Sequence, residues 1–97
     1  MQSVNPATGE SIQHYNEHTL EAARKMARRA HDVAESWART SLQDRAALLL
    51  RLERSLLDSR DDLADLMARE MGKPIAEGRG EIEKCAKLCR YYAERGP

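Results

Sequence analysis

Apolar residues recur at intervals of three and four along most of this chain, and charged residues separate them. This period places the apolar side chains on one face of an α-helix. It predicts helices over residues 19–39, 42–59, 61–72 and 79–95. The first apolar stripe consists of Leu20, Ala23, Ala27, Ala30, Val33, Ala34 and Trp37. Each predicted helix therefore has one apolar face that needs a cover, and Trp37 is expected to be packed.

Capping and helix-breaking residues mark the ends of these helices. Thr19 is a suitable N-cap for the first helix, and Ser41 with Asp44 resembles a capping box at the start of the second. Gly72 followed by Pro74 predicts a stop after the third helix, because glycine accepts the left-handed C-cap conformation and proline cannot continue a helix. Two more glycines follow, Gly78 and Gly80. They predict a loose segment before the fourth helix.

The N-terminal residues 1–18 have a different pattern. Two short stretches containing Val4 and Ile12 flank an Asn-Pro pair and Gly9. Proline fixes φ and Gly9 accepts a positive φ, so these residues predict a turn between two antiparallel strands. Such a hairpin is marginal alone and needs a neighbour to pack on. The sequence therefore predicts a mainly α fold, with an N-terminal β-hairpin followed by about four amphipathic helices.

Length and charge bound the class of protein. Ninety-seven residues make at most one small domain, here residues 1–97. Sixteen Lys and Arg balance sixteen Asp and Glu, which argues against a dedicated binder of nucleic acid or anionic membranes. The longest apolar run is residues 46–50, far short of the ~20 residues that a membrane span needs. A polar N-terminus and only two cysteines predict no signal peptide and favour the cytoplasm.

Cys85 and Cys89 lie four residues apart on the predicted fourth helix. With His14 and His18, which have the same spacing, they offer a conceivable Cys2His2 metal site. The favoured interpretation places both cysteines in the core, because they stand on an apolar stripe. A catalytic thiol is disfavoured, since neither cysteine has a neighbouring base or a helix N-terminus beside it.

Two charge clusters have ordinary structural explanations. They are a basic cluster of Arg24, Lys25, Arg28 and Arg29, and an acidic cluster of Asp58, Asp61, Asp62 and Asp65. The basic cluster has no interleaved aromatic residues, so a solvated helix face is favoured over a phosphate-binding patch. Helix capping explains the aspartates better than acid–base catalysis or calcium binding, because the ligand spacing of an EF-hand is absent.

Four motifs in series resemble the aldehyde dehydrogenase family. They are the NPATGE stretch at residues 5–10, Trp37 followed by Arg45-Ala46 and a leucine-rich helix, the E-x-GKP helix end at 70–74, and the GEI…RYYA helix at 80–93. Their order and spacing are similar to the family over essentially all 97 residues. The ending at 89–97 most resembles bacterial NAD(P)-linked succinate-semialdehyde dehydrogenases.

The resemblance implies a piece of a longer enzyme. Family members are several times longer, and their nucleotide-binding strands, oxyanion-hole Asn, general-base Glu and nucleophilic Cys lie downstream of the matched segment. Cys85 and Cys89 match none of these. The chain is therefore expected to be the N-terminal helical flank of a cofactor-binding domain, which is α/β in the whole enzyme and uses NAD or NADP. We expect the 97 residues alone to be inactive, with no catalytic or cofactor-binding residue of their own.

A structural cation is the one site that the resemblance transfers to these residues. Many family members hold a monovalent cation near this segment, through a backbone oxygen before the NPATGE motif and a carboxylate in the GEI turn. Those ligands correspond to Val4 (or Ser3) and to Glu81. A carboxylate with carbonyl oxygens suits a hard cation, although a plain first-turn helix charge is the simpler interpretation of Glu81.

Three functions remain open on the sequence. The first is a segment of an NAD(P)-dependent aldehyde dehydrogenase, with succinate semialdehyde as a candidate substrate. The second is a stand-alone helical module that binds a partner through its apolar faces, and the third is a metal-binding helical domain. We expect a homo-oligomer, because faces that the rest of a dehydrogenase chain would cover are left open. The faces expected to be exposed are Val4 with Ile12, the Ile82–Cys89–Tyr92 face, and part of residues 48–57.

Overall fold

The computed structural model describes all 97 residues, as a two-stranded hairpin followed by four helices. The elements are β1 (Gln2–Val4), β2 (Ser11–His14), α1 (Leu20–Ala38), α2 (Leu42–Asp58), α3 (Arg60–Met71) and α4 (Ile75–Arg95). The helices comprise 71% of the residues, which confirms the mainly α fold class with an N-terminal hairpin. None of the four helices is both long and apolar enough to cross a bilayer.

Three of the predicted helix ends have the expected capping geometry. Thr19 Oγ1 accepts a hydrogen bond from the Ala22 N–H at 3.1 Å, and Ser41 Oγ accepts one from the Asp44 N–H at 3.0 Å. These bonds satisfy amide groups that have no partner within the first helical turn. Gly72 follows α3 with a φ of 68°, the left-handed C-cap conformation. Side-chain chemistry therefore sets where these helices begin and end.

Helix α4 begins at Ile75, four residues before the predicted start at 79. Pro74 stands at its N-cap, where a missing N–H leaves no bond unmade, and its carbonyl accepts a bond from the Gly78 N–H at 3.0 Å. Gly78 is buried within the helix against Ala64 of α3. The prediction of a loose segment at Gly78 and Gly80 was therefore wrong, because the first of these glycines serves close packing.

The core is small and lies where α4 packs on α2 and α3. Its buried residues are Glu53, Ala64, Gly78, Ile82, Ala86 and Ala93. A Cβ built on Gly78 would lie 3.2 Å from the Ala64 Cα, so small residues bring the backbones of α3 and α4 close together. Ile82 is only 4% exposed. The expectation of an open face at Ile82 was wrong, because α2 and α3 cover that side of α4.

The hairpin is attached to α3. The two strands pair antiparallel with Gln2 opposite His14, and Gly9 has the positive φ, 75°, that its turn requires. Ser3 Oγ donates a hydrogen bond to Glu70 Oε1 of α3 at 2.6 Å. An isolated two-stranded hairpin has only marginal stability, and the contact with α3 provides the packing partner that it needs.

The molecule is an open slab. Its extents are 48 × 38 × 15 Å and its radius of gyration is 17.5 Å, against about 12–13 Å for a compact domain of this length. Its accessible surface is 7868 Å², roughly 2,000 Å² more than a compact monomer of this mass exposes. Helix α1 buries no residue at all. The fold therefore leaves apolar faces without a cover.

Several residues that were expected in the core lie at the surface. Trp37 is 49% exposed. Cys85 is exposed, whereas Cys89 is half-buried. The predictions of packing for Trp37 and Cys85 were wrong, because a stripe is buried only where another element lies over it. Val4 and Tyr92 are exposed, as expected for open faces.

Candidate functional site

Glu53 is the one charged residue in the core, and it ties α2 to α4. Its carboxylate accepts a hydrogen bond from Arg90 Nε at 2.7 Å. The contact raises the pKa of the Arg90 guanidinium, first through the hydrogen bond and then through the charge of Glu53. A buried carboxylate without a partner is costly, so the pair fixes how α2 lies against α4. In the sequence, Glu53 is recognisable as an acidic residue on the apolar stripe of the second helix.

A second ion-pair network joins α3 to α4. Asp61 lies in the first turn of α3, which begins at Arg60 and not at residue 61 as predicted. Arg79 Nε donates to Asp61 Oδ1 at 2.9 Å, and Arg60 Nη1 donates to Glu83 Oε1 at 3.0 Å. The Arg60 and then the Arg79 guanidinium hold the pKa of Asp61 below its ordinary value. The stabilisation from Asp61 is thus present above about pH 4 and is lost as the pH falls through its lowered pKa.

The corner between α1 and α2 is set by Arg45. Its Nη2 donates to the Trp37 carbonyl at 2.7 Å and to the Ala38 carbonyl at 3.1 Å. These carbonyls belong to the last turn of α1, and the Trp37 carbonyl also accepts a hydrogen bond from the Thr40 N–H at 3.0 Å. The guanidinium carbon also lies 5.1 Å from the centroid of the Trp37 ring, within the range of a cation–π contact. Arg45 therefore links the first turn of α2 to the last turn of α1.

The predicted cation ligands lie on different elements. Val4 ends β1 and Glu81 lies in α4, where its carboxylate is paired with the Lys73 ammonium. Ser3, the alternative to Val4, uses its hydroxyl on Glu70. An ammonium group already neutralises the one carboxylate of the predicted site. The monovalent cation at Val4 and Glu81 stays a prediction that the resemblance carries.

The other candidate residues form no reactive cluster. No group of three or more His, Cys, Asp or Glu side chains is placed to hold a metal ion. The four residues of the Cys2His2 alternative, His14, His18, Cys85 and Cys89, are therefore not brought together as ligands. The basic cluster lies on the exposed helix α1, as a solvated helix face requires. What this chain offers is a set of packing contacts around α4.

The sequence matches the model of the aldehyde dehydrogenase family over residues 1–97. The chain belongs to the aldehyde dehydrogenase family. It is 35% identical over 97 residues to the NADP+ succinate-semialdehyde dehydrogenase of Deinococcus radiodurans, covering 98% of this chain and 20% of that one. It is 35% identical over 95 residues to the NAD(P)+ succinate semialdehyde dehydrogenase Sad of Escherichia coli, covering 98% and 21%.

A solved structure shares the fold as well. The succinic semialdehyde dehydrogenase of Streptococcus pyogenes, determined with NADP+ as the cofactor, superposes with a TM-score of 0.90 at 30% identity, covering 97% of this chain and 21% of that one. The matched region is the N-terminal part of such structures. This aldehyde dehydrogenase chain thus spans about a fifth of the length of the relatives that it matches.

The four family motifs occupy packing positions in this aldehyde dehydrogenase chain. The NPATGE motif forms the hairpin turn, in which Asn5 Oδ1 accepts a hydrogen bond from the Ala7 N–H at 2.9 Å. Trp37 and Arg45 form the corner between α1 and α2. Gly72 ends α3, and Ile82 of the GEI motif lies in the core. The four motifs therefore reflect an architecture that this chain shares with its family.

The glycines after α3 stand in a different setting from those of a dinucleotide-binding turn. A dinucleotide site places a glycine-rich turn between a strand and a helix. Here Gly72 caps a helix, Gly78 and Gly80 lie within α4, and the only sheet is the two-stranded hairpin.

Proposed function

We propose that these residues form the N-terminal helical segment of an NAD(P)-dependent aldehyde dehydrogenase, which oxidises an aldehyde to the carboxylic acid. In this proposal the segment is a scaffold that flanks the cofactor-binding domain and supplies no reacting group. The observation that carries it is the open slab, 15 Å thick, whose helix α1 buries no residue. Exposed apolar faces of this kind are normally buried by another part of a protein, and the remainder of a dehydrogenase chain would bury them.

Succinate semialdehyde is the proposed substrate of the whole enzyme. Two curated relatives and one solved structure are named for activity on this aldehyde, and their names specify NADP or either nicotinamide cofactor. The substrate class is then an aldehyde that carries a carboxylate, with NAD or NADP as the oxidant.

Both cysteines are free thiols, which supports the proposed cytoplasmic location.

Complementation in trans tests the scaffold role. The Escherichia coli relative is expressed without the segment that aligns with this chain, either alone or together with the 97-residue chain. Succinate-semialdehyde-dependent formation of NAD(P)H is then measured. We expect no activity from either piece alone, because the 97-residue chain lacks the reacting groups and the shortened relative lacks the N-terminal scaffold. We expect activity when both pieces are present.

The relative's own segment, supplied in the same way, is the positive control. If that segment restores activity and this chain does not, the scaffold role is wrong. Formation of NAD(P)H by the pure 97-residue chain would equally contradict it, because the chain would then hold reacting groups of its own.

A further inference from the structure

Cys85 and Cys89 form an accessible pair of thiols on α4. They are four residues apart within a helix that runs from Ile75 to Arg95, so they lie one turn apart on the same side of it. Cys85 is exposed, Cys89 is half-buried, and both are free thiols. The proposed function uses neither of them. The packing around α4 therefore leaves this pair without an assigned role.

The helix holds the two cysteines at a fixed separation. Residues four apart on an α-helix have their Cβ atoms about 5–6 Å apart. Ile82 and Ala86, which are 4% and 1% exposed, anchor the same part of α4 in the core. The backbone of α4 therefore sets the distance between Cys85 and Cys89 before any ligand arrives.

This separation disfavours a disulfide within the helix but suits a single atom between the sulfurs. A disulfide needs Cβ atoms about 3.5–4.5 Å apart. Closing one between Cys85 and Cys89 would compress a turn of α4 whose Ala86 is held in the core. Two metal–sulfur bonds of about 2.3 Å each span up to about 4.6 Å between the sulfurs, so a bridging metal ion removes that difficulty.

The set of available ligands selects a soft ion that two thiolates satisfy. No third His, Cys, Asp or Glu side chain joins the pair in a metal-binding group, whereas a structural zinc ion takes four ligands. Glu81, one turn before Cys85, is already paired with the Lys73 ammonium. Thiolates are soft ligands that select Cu(I) over hard cations, and Cu(I) accepts two sulfurs in a linear arrangement.

We propose that Cys85 and Cys89 bind one Cu(I) ion between them across a single turn of α4. Each thiol loses its proton on binding, and each sulfur forms one bond to the metal. One Cu(I) ion and two thiols thus give one bis-thiolate complex with a single negative charge, and two protons are released. The copper stays Cu(I) and both sulfurs stay reduced, so no oxidant or reductant takes part. This inference concerns α4 of the 97-residue chain and does not depend on the proposed function.

Competition for Cu(I) without oxygen tests the site. The reduced chain is titrated into the coloured Cu(I) complex of bicinchoninate, and the loss of colour measures transfer of the metal. We expect one Cu(I) ion per chain. Cys85→Ser should weaken the binding at least about 100-fold, because one of the two bonds to the metal is lost. Light scattering should show the same mass with and without Cu(I), because both ligands belong to one helix.

The matched control keeps two thiols but points them in different directions. It combines Cys89→Ser with Lys87→Cys, so that the second thiol lies two residues from Cys85 and about 200° around the helix. Lys87 is exposed, so the variant should keep the circular dichroism of the parent at 222 nm. Its affinity for Cu(I) should fall as far as that of Cys85→Ser.

Three results would overturn the copper site. They are no transfer of Cu(I) to the parent chain, equal affinity of the parent and the Lys87→Cys control, and a doubling of the mass when Cu(I) is added. The second result would show that any two thiols suffice, and the third would show that the metal bridges two chains. None of these results bears on complementation in trans, so the copper site and the proposed function are tested separately.

Discussion

Replacement of Gly78 with Leu is expected to lower the free energy of unfolding by about 3 kcal/mol. Even a Cβ at this position would lie 3.2 Å from both the Cα and the Cβ of Ala64. A leucine extends three carbons further, into the backbone of α3, and backbone atoms do not move aside as a flexible side chain does. Urea unfolding followed by circular dichroism at 222 nm measures the change. A small domain of marginal stability could lose its helical signal altogether.

Gly80→Leu is the matched control on the same helix. No atom lies within 4 Å of a Cβ built there, so the new side chain meets only solvent. Leucine also favours a helix by about 0.8 kcal/mol over glycine, so this variant should be slightly more stable than the parent. Equal destabilisation by both substitutions would show that Gly78 does not mark a close crossing of α3 and α4.

Ile82→Ala is expected to cost about 2–4 kcal/mol, the range for removing a buried aliphatic side chain and leaving a cavity. Ile82 is the largest aliphatic side chain in the core and is 4% exposed. Its neighbours on α2 and α3 cannot fully collapse into the space, because the small residues around it already bring the helices together. The same urea titration measures the loss.

Leu88→Ala is the control for Ile82→Ala, because Leu88 lies on the same helix and is mostly exposed. Its effect should stay within about 0.5 kcal/mol, as for other surface positions. A loss at Leu88 as large as the loss at Ile82 would mean that the core around α4 has been misplaced.

Local chemistry made much of this fold predictable from the sequence. This holds for the hairpin, for the four helices and for the caps at Thr19, Ser41 and Gly72. They follow from side-chain hydrogen bonds, from the conformational freedom of glycine and from the spacing of apolar residues, each of which acts over a few residues. The start of α4 could not be predicted in this way. Gly78 breaks isolated helices, yet here contact with Ala64 outweighs its low propensity. That contact joins two elements, and no local pattern reveals it.

Burial was the least predictable property. The stripes containing Trp37 and Cys85 are apolar, but an apolar stripe does not reveal which other element packs on it or which of its residues that element buries. Glu53 shows the converse, since an acidic residue is buried because Arg90 reaches it from another helix. Of the candidate site, the sequence could supply Glu81 as a charge in the fourth helix. Its pairing with Lys73 depends on how the chain turns between α3 and α4.

The scaffold role is tested most directly by a single chimera. Residues 1–97 replace the aligned segment of the Escherichia coli succinate semialdehyde dehydrogenase, and kcat/KM for succinate semialdehyde is compared with that of the unmodified enzyme. If these residues supply architecture and no chemistry, the chimera should retain kcat/KM within about tenfold. The role would be contradicted by a chimera that folds and assembles like the unmodified enzyme but forms no NAD(P)H above the level of the enzyme lacking the segment.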